Sequence, residues 1–243
     1  MKKLISFLII IFVLFSCQIK KEKSEGSIQK NLIVEKCKDF ELNGKGDNLL
    51  WENAEWIKMY RLNKDENSYE TKFKILYSET GIYVLAFCED TLITTNYLSP
   101  QDDLWKADVF EIFFQTDSTN PLYIEYEINQ LNTELILLIP NNNGDFFGWS
   151  PWHYEKERKI KRAINIINGD AKPDSKISGW TAEIFFPFPL FKGFKNAPPV
   201  KGTKWKGNFN RLDYDNNTYQ AWSWRPVKKS FHEYEKYGTI VFN

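Results

Sequence analysis

Residues Asp102–Asn129 read DDLWKADVFEIFFQTDSTNPLYIEYEIN, and their alternation decides the fold. Phe110, Ile112 and Phe114 recur at a period of two, so a strand there puts Glu111 on the opposite face. In the second run Ile124, Tyr126 and Ile128 share one face, while Glu125, Glu127 and Asn129 share the other. A row of carboxylates and an amide beside Trp105 suits a sugar. A pyranose can lay its C–H face on an indole, and its vicinal hydroxyls can donate to a carboxylate. The alternative is that these acids are only the solvated side of a half-buried sheet.

Outward from this stretch the pattern stays the same. From Leu32 onward, runs of four to ten residues alternate with turn-forming residues, and helical periodicity is nearly absent. Strands are expected near 32–37, 55–60, 69–78, 81–89, 108–115, 122–130, 133–139, 160–168, 179–186, 203–213, 219–225 and 238–242. SETG after Tyr77 and QLNT after Asn129 read as hairpin links, and NNNGD at 141–145 as a loop. So many short strands imply an all-β fold, one antiparallel β-sandwich of jelly-roll kind over residues 31–243. Its core should hold Phe110, Ile112, Phe114, Ile124, Tyr126, Ile128, Ile184 and Phe186.

The first residues, MKKLISFLIIIFVLFSC, have a basic start, an apolar run from Leu4 to Phe15, a small Ser16 and then Cys17. The run is short for a membrane span and reads as an export signal over residues 1–16. LFSC resembles the lipobox of bacterial lipoproteins, which implies a mature chain acylated at Cys17 and anchored in a membrane of the cell envelope, the outer one favoured. Residues 17–30 are then a polar tether. The chain carries 32 basic and 32 acidic side chains, and removing Lys2 and Lys3 with the signal leaves 30 against 32, a net of about −2. With its lysines scattered, that balance argues against a nucleic-acid partner. Of the remaining cysteines, Cys88 falls on the same strand face as Val84 and Ala86, which favours a buried thiol, and a bridge to Cys37 depends on a separation that sequence does not give.

Segments along most of the mature chain resemble the family 9 carbohydrate-binding modules: DFELNGKGDNLLWENAEW from Asp39, GIYVLAFCED, WKADVFEIFF, YIEYEIN, GWTAEIFFPF, WKGNFNR and FHEYEKYGTIVF. The resemblance implies a non-catalytic domain that grips a glycan, at its chain end, between two aromatic plates. Trp105 corresponds to the first plate and Phe231 stands where the second belongs. Glu111 matches the family glutamate, whereas Glu127 replaces the family arginine. Asn210 falls near a family glutamine, with Arg211 beside it as a substitute cation able to reach between Glu111 and Glu127. Asn129 completes the expected sugar-binding set. Glu127 has a purely structural alternative as the ion-pair partner of Arg211 or Lys206, and Phe231 and His232 have one as a plug at the sandwich edge. Trp149 and Trp152, in FFGWSPWHY, offer a further stacking surface. The resemblance also implies structural calcium, for which Asp39, Glu41, Asp47 and Asp108 stand in suitable loops, and separate glycoside hydrolases as partners.

Other functions compete. An envelope lipoprotein with a structural or interaction role would need no sugar at all. Asp108, Glu111, Glu125 and Glu127 supply the carboxylate pairs of a glycoside hydrolase. Haem binding would draw on Met59, His153 and His232, which lack any spacing of their own. No GxSxG run, C-x-x-C or H-x-x-x-H arrangement supports nucleophilic or zinc chemistry.

Overall fold

A computed structural model describes residues 31–63, 69–143, 145–215 and 218–243. The export signal, Cys17 and the tether lie outside the described residues. Among the described residues fifteen strands, β1 to β15 in chain order, form one hydrogen-bonded network that folds over on itself, with β2, β3, β9 and β14 branching from its main path. The first layer holds β6 (Val109–Gln115), β7 (Leu122–Ile128), β8 (Glu134–Asn142), β13 (Lys204–Asp213), β14 (Gln220–Ser223) and β15 (Gly238–Phe242). The second holds β4 (Thr71–Tyr77), β5 (Gly81–Cys88), β11 (Lys161–Ile167) and β12 (Gly179–Pro187). Strand β1 (Asn31–Lys36) joins them: its first four residues pair with β15 and its last two with β4. Both pairings are parallel and the rest of the ladder is antiparallel, so the expected antiparallel sandwich is departed from at this one corner. The expected strand at 55–60 divides into Ile57–Lys58 (β2) and Tyr60–Arg61 (β3), which pair with β4 and β14. The region taken as a loop at 141–145 continues β8 to Asn142 and turns into Asp145–Phe146 (β9), with Ser150–Pro151 (β10) following.

The layers meet through apolar residues at every second position. Phe73 of β4 stacks on Phe209 of β13 with ring centroids 3.8 Å apart, and Tyr126 of β7 meets Phe186 of β12 edge-on at 5.0 Å. All eight residues assigned to the core from alternation are buried within this cluster. Deleting one such ring would cost about 3–5 kcal/mol.

On the far side of the second layer the DFELNGKG segment is clamped by one buried acid. Glu183 accepts hydrogen bonds from the backbone N–H groups of Asn43 and Gly44 and from the indole of Trp51, each at 2.7 Å. Gly44 has φ +83° and a side-chain carbon there would lie 2.7 Å from the carbonyl carbon of Ile164, so only glycine fits. Cys88 faces the main core and Cys37 lies on the other side of the layer; both are free thiols.

Candidate functional site

The outer face of the first layer carries the acidic row. Strand register sets Glu111 opposite Glu127 on β7 and opposite Asn210 on β13, while Glu125 stands opposite Phe113. This face is not solvated. Tyr123, Leu135, Leu137, Leu212 and Tyr237 form a second apolar cluster around the acids, roofed by Leu62, Tyr97, Tyr214, Phe231 and Tyr234. Glu111, Glu125 and Glu127 are therefore 2 %, 5 % and 0 % exposed, and they form the polar floor of a cavity of about 640 Å³.

The three carboxyl groups lie close together, with one oxygen from each within 4.8 Å of the others. Among the described residues Glu127 is approached by the Trp105 N–H and the Glu125 carboxyl, but neither oxygen of Glu127 nor the Oε2 of Glu125 has a partner in full hydrogen-bond geometry. Burial without a cation makes ionisation costly. Desolvation and then the charge of Glu125 push Glu111 well above the usual carboxylate range. Desolvation lifts Glu125 to about 7. Glu127 is raised by burial, then by Glu111 and Glu125.

The wall is aromatic. A short 3-10 turn, Leu104–Lys106, sets Trp105 at the cavity with 40 % of its surface exposed. Trp149 is 53 % exposed and stacks on Phe146, and Phe146 stacks on His232 at 4.4 Å. Tyr219 and Phe231 complete the ring-bearing wall, with Leu137, Leu212 and Val227 as aliphatic surface. His232 lies between the rings of Phe113 and Phe146, its Nδ1 2.8 Å from the Tyr123 hydroxyl. Burial lowers its pKa to about 4, so the ring is neutral at pH 7. Lys228 and Lys229 are the cations lining the cavity, on the exposed segment before Phe231.

The structure brings Trp105, Glu111, Glu127 and Phe231 to this cavity and sets Asn210 on the same face beside Glu111. Asn210 is fully buried; its Oδ1 accepts from Ser223 at 2.7 Å, and its Nδ2 has no partner among the described residues. Asn129 shares the face but does not line the cavity. Its Oδ1 accepts the Leu131 and Thr133 N–H groups and its Nδ2 donates to Tyr97, so its amide closes the β7–β8 turn.

Arg211 is a correction. It sits opposite Phe110 and Trp222 in register, hence on the inner face, and cannot reach between Glu111 and Glu127. There it is fully buried, ion-paired with Asp213 and with Asp90 at 3.2 Å, and donates to Thr71 at 3.0 Å and to the Glu89 carbonyl. The pairing of Glu127 with Arg211 or Lys206 is absent as well, since the Lys206 ammonium donates to the Tyr237 carbonyl.

Three of the four acids named for calcium are hydrogen-bonded within the fold. Asp39 accepts the hydroxyls of Thr80 and Tyr83, and Asp47 accepts the Asn43 amide. Asp108 is buried elsewhere, bonded to Thr94, Tyr214 and Gln130. Asp39, Glu41, Asp47 and Asp108 do not converge. In the other tight acidic group among the described residues, Asp90 and Asp213 already hold the Arg211 guanidinium, and Asp215 accepts the hydroxyls of Tyr69, Thr91 and Thr94.

Several lining residues escaped the sequence reading. Phe146, Tyr219 and the 227–230 segment arrive through loops and short strands whose pairing leaves no periodic signal. Trp152, grouped with Trp149 by sequence, belongs to the fold: its indole donates to the Leu190 carbonyl and packs on Phe194.

Comparison with known proteins agrees with this architecture. Residues 42–143 match the family described as Carbohydrate family 9 binding domain-like. An "Extracellular protein" of the fungus Arthroderma benhamiae is 30% identical over 148 residues, a match taking in 58% of this chain and 63% of that protein. Among solved structures, a candidate carbohydrate-binding protein from Bacteroides uniformis superposes with a TM-score of 0.73 at 19% identity, over 88% of this chain and 99% of that one. A family 9 carbohydrate-binding module from Caldicellulosiruptor kristjanssonii, in complex with cellotriose, gives 0.62 at 15% identity, over 88% and 94%. The same module in complex with glucose gives 0.62 and 15%, over 88% and 96%. The chain thus has the β-sandwich fold of carbohydrate-binding modules.

Proposed function

We propose that this chain is a non-catalytic carbohydrate-binding protein of the family 9 type that takes a glycan into the cavity above Glu111 and Glu127, with Trp105 and Phe231 as stacking plates. The observation that carries this reading is the pairing of exposed indole and phenyl rings with a buried polar floor in one cavity of about 640 Å³, large enough for sugar rings. Trp149 and Phe146 extend the stacking surface. The family match over residues 42–143 supports it, as do fold neighbours solved with glucose and cellotriose. Export and acylation at Cys17 would hold the protein in the cell envelope, the outer membrane favoured, where it would present glycan to separate hydrolases.

A hydrolytic role is disfavoured by the geometry of the acids. Glycoside cleavage needs two carboxyl groups about 5 Å or more apart around the scissile bond, one of them ionised. Here all three stand together on one side of the cavity, not around a cleft, and burial favours the protonated form of each. The test is titration calorimetry of the protein with cello-oligosaccharides, alongside an assay for reducing ends. Saturable heat without new reducing ends is the expected result.

A further inference from the structure

The acidic floor is unusual for a site that binds only hydroxyl groups. A hydroxyl needs one good acceptor, and a carboxylate flanked by a cation serves best. Here three carboxyl groups stand together, and among the described residues neither oxygen of the fully buried Glu127 has a partner in full hydrogen-bond geometry, the Trp105 N–H and Glu125 making only loose approaches. Independently, Asn210 is fully buried beside Glu111 with its amide nitrogen unpartnered. The cations lining the cavity, Lys228 and Lys229, are exposed, and no ion pair among the described residues joins either to the three acids. Burial of so many unsatisfied polar atoms is costly unless a ligand completes them.

We propose that this floor receives the ammonium group of an unacetylated amino sugar, with Glu111, Glu125 and Glu127 accepting its N–H hydrogen bonds and the sugar ring lying against Trp105 and Trp149. The inference rests on reading the cavity as a glycan site and names the class of glycan. An ammonium has three donors to share among three carboxyl groups. Oxygens within 4.8 Å of one another are the spacing that tetrahedral N–H···O bonds of about 2.8 Å require. The aromatic wall adds attraction for a cation. A divalent metal is the less suitable occupant: calcium takes six to eight oxygen ligands, and the surroundings here are aromatic rings, Leu137 and Leu212. N-acetylation would remove the charge and put a methyl group among the acids. A neutral sugar would bring no charge to favour their ionised form.

The test compares three sets of short oligosaccharides on the full-length protein by titration calorimetry: free-amine glucosamine oligomers, their N-acetylated counterparts and cello-oligosaccharides. The free-amine set should bind at least about tenfold tighter than either, the effect of one or more charge-assisted hydrogen bonds. Glu127→Gln, which keeps the shape of the side chain, should weaken the free-amine set more than the neutral sets and so shrink that preference. Equal binding of all three sets would overturn the inference and leave the glycan reading standing. No binding of any set would overturn both. A titration with calcium chloride that saturates, and that wild type needs before it binds any sugar, would make the floor a metal site and overturn the inference.

Discussion

Glu111 and Glu127 face each other directly across β6 and β7, both buried, with no ion pair to either among the described residues. In most half-buried sheets such a pair would point into water. Here segments 62–63 and 227–237 close over it, so the pair becomes the floor of a cavity instead of a solvated face.

The first consequence is a pH dependence of stability. Glu125 is raised from an ordinary value of 4.5 to about 7, chiefly by burial, and Glu111 and Glu127 shift the same way. A carboxyl group whose pKa is higher folded than unfolded stabilises fully below the unfolded value and loses that contribution as pH rises through the folded one. The ligand-free protein should therefore melt at a lower temperature at pH 7 than at pH 4.5. Glu127→Gln should flatten the slope, which thermal unfolding across this range measures.

Trp105→Ala should weaken glycan binding at least about tenfold, since truncated aromatic anchors cost about 2 kcal/mol or more. Because the side chain is 40 % exposed, stability should fall by less than about 1 kcal/mol. Calorimetric titration and a melting curve on the same variant separate the two effects. A large drop in melting temperature would make Trp105 a packing residue.

Arg211→Met should behave in the opposite way. It would leave Asp90 and Asp213 as buried acids without their cation, at a cost of about 3–5 kcal/mol at neutral pH. Those acids can then escape their burial only by taking protons, so the variant should be less unstable near pH 4 than at pH 7. Denaturant unfolding at the two values checks this.

The contrast between Trp105 and Arg211 marks how far the sequence could be read. Alternation assigned Phe110, Ile112 and Phe114 to the core and Glu111 to the other face, because a strand has only two faces. Applied strictly, the same rule puts Arg211 opposite Asn210, on the inner face. The chemical attraction of a cation near two acids pointed the other way, and register won. Burial of the acidic face was not legible: it depends on Leu62, Phe231 and Tyr234, loop residues that reach the sheet from distant parts of the chain. For the same reason Glu125 could be put on the right face, but its closeness to Glu111 could not be read. The corner at β1 was hidden too, since parallel pairing with two strands leaves no mark in a six-residue run.

Replacing Cys17 by Ala should release the protein from membranes, because a cysteine-linked pair of acyl chains is the anchor inferred from LFSC. Membrane fractionation reads the change, and mass spectrometry of the wild-type N-terminus checks the modification. An unmodified N-terminus at another residue would contradict the anchor.

The central claim is that the cavity over Glu111 and Glu127 binds carbohydrate, and the structure of the protein soaked with a short oligosaccharide tests it most directly. The account predicts a sugar ring against Trp105 with its polar edge on the Glu111–Glu127 floor. A ring seated elsewhere, or a cavity that stays without sugar at saturating concentration, would contradict it.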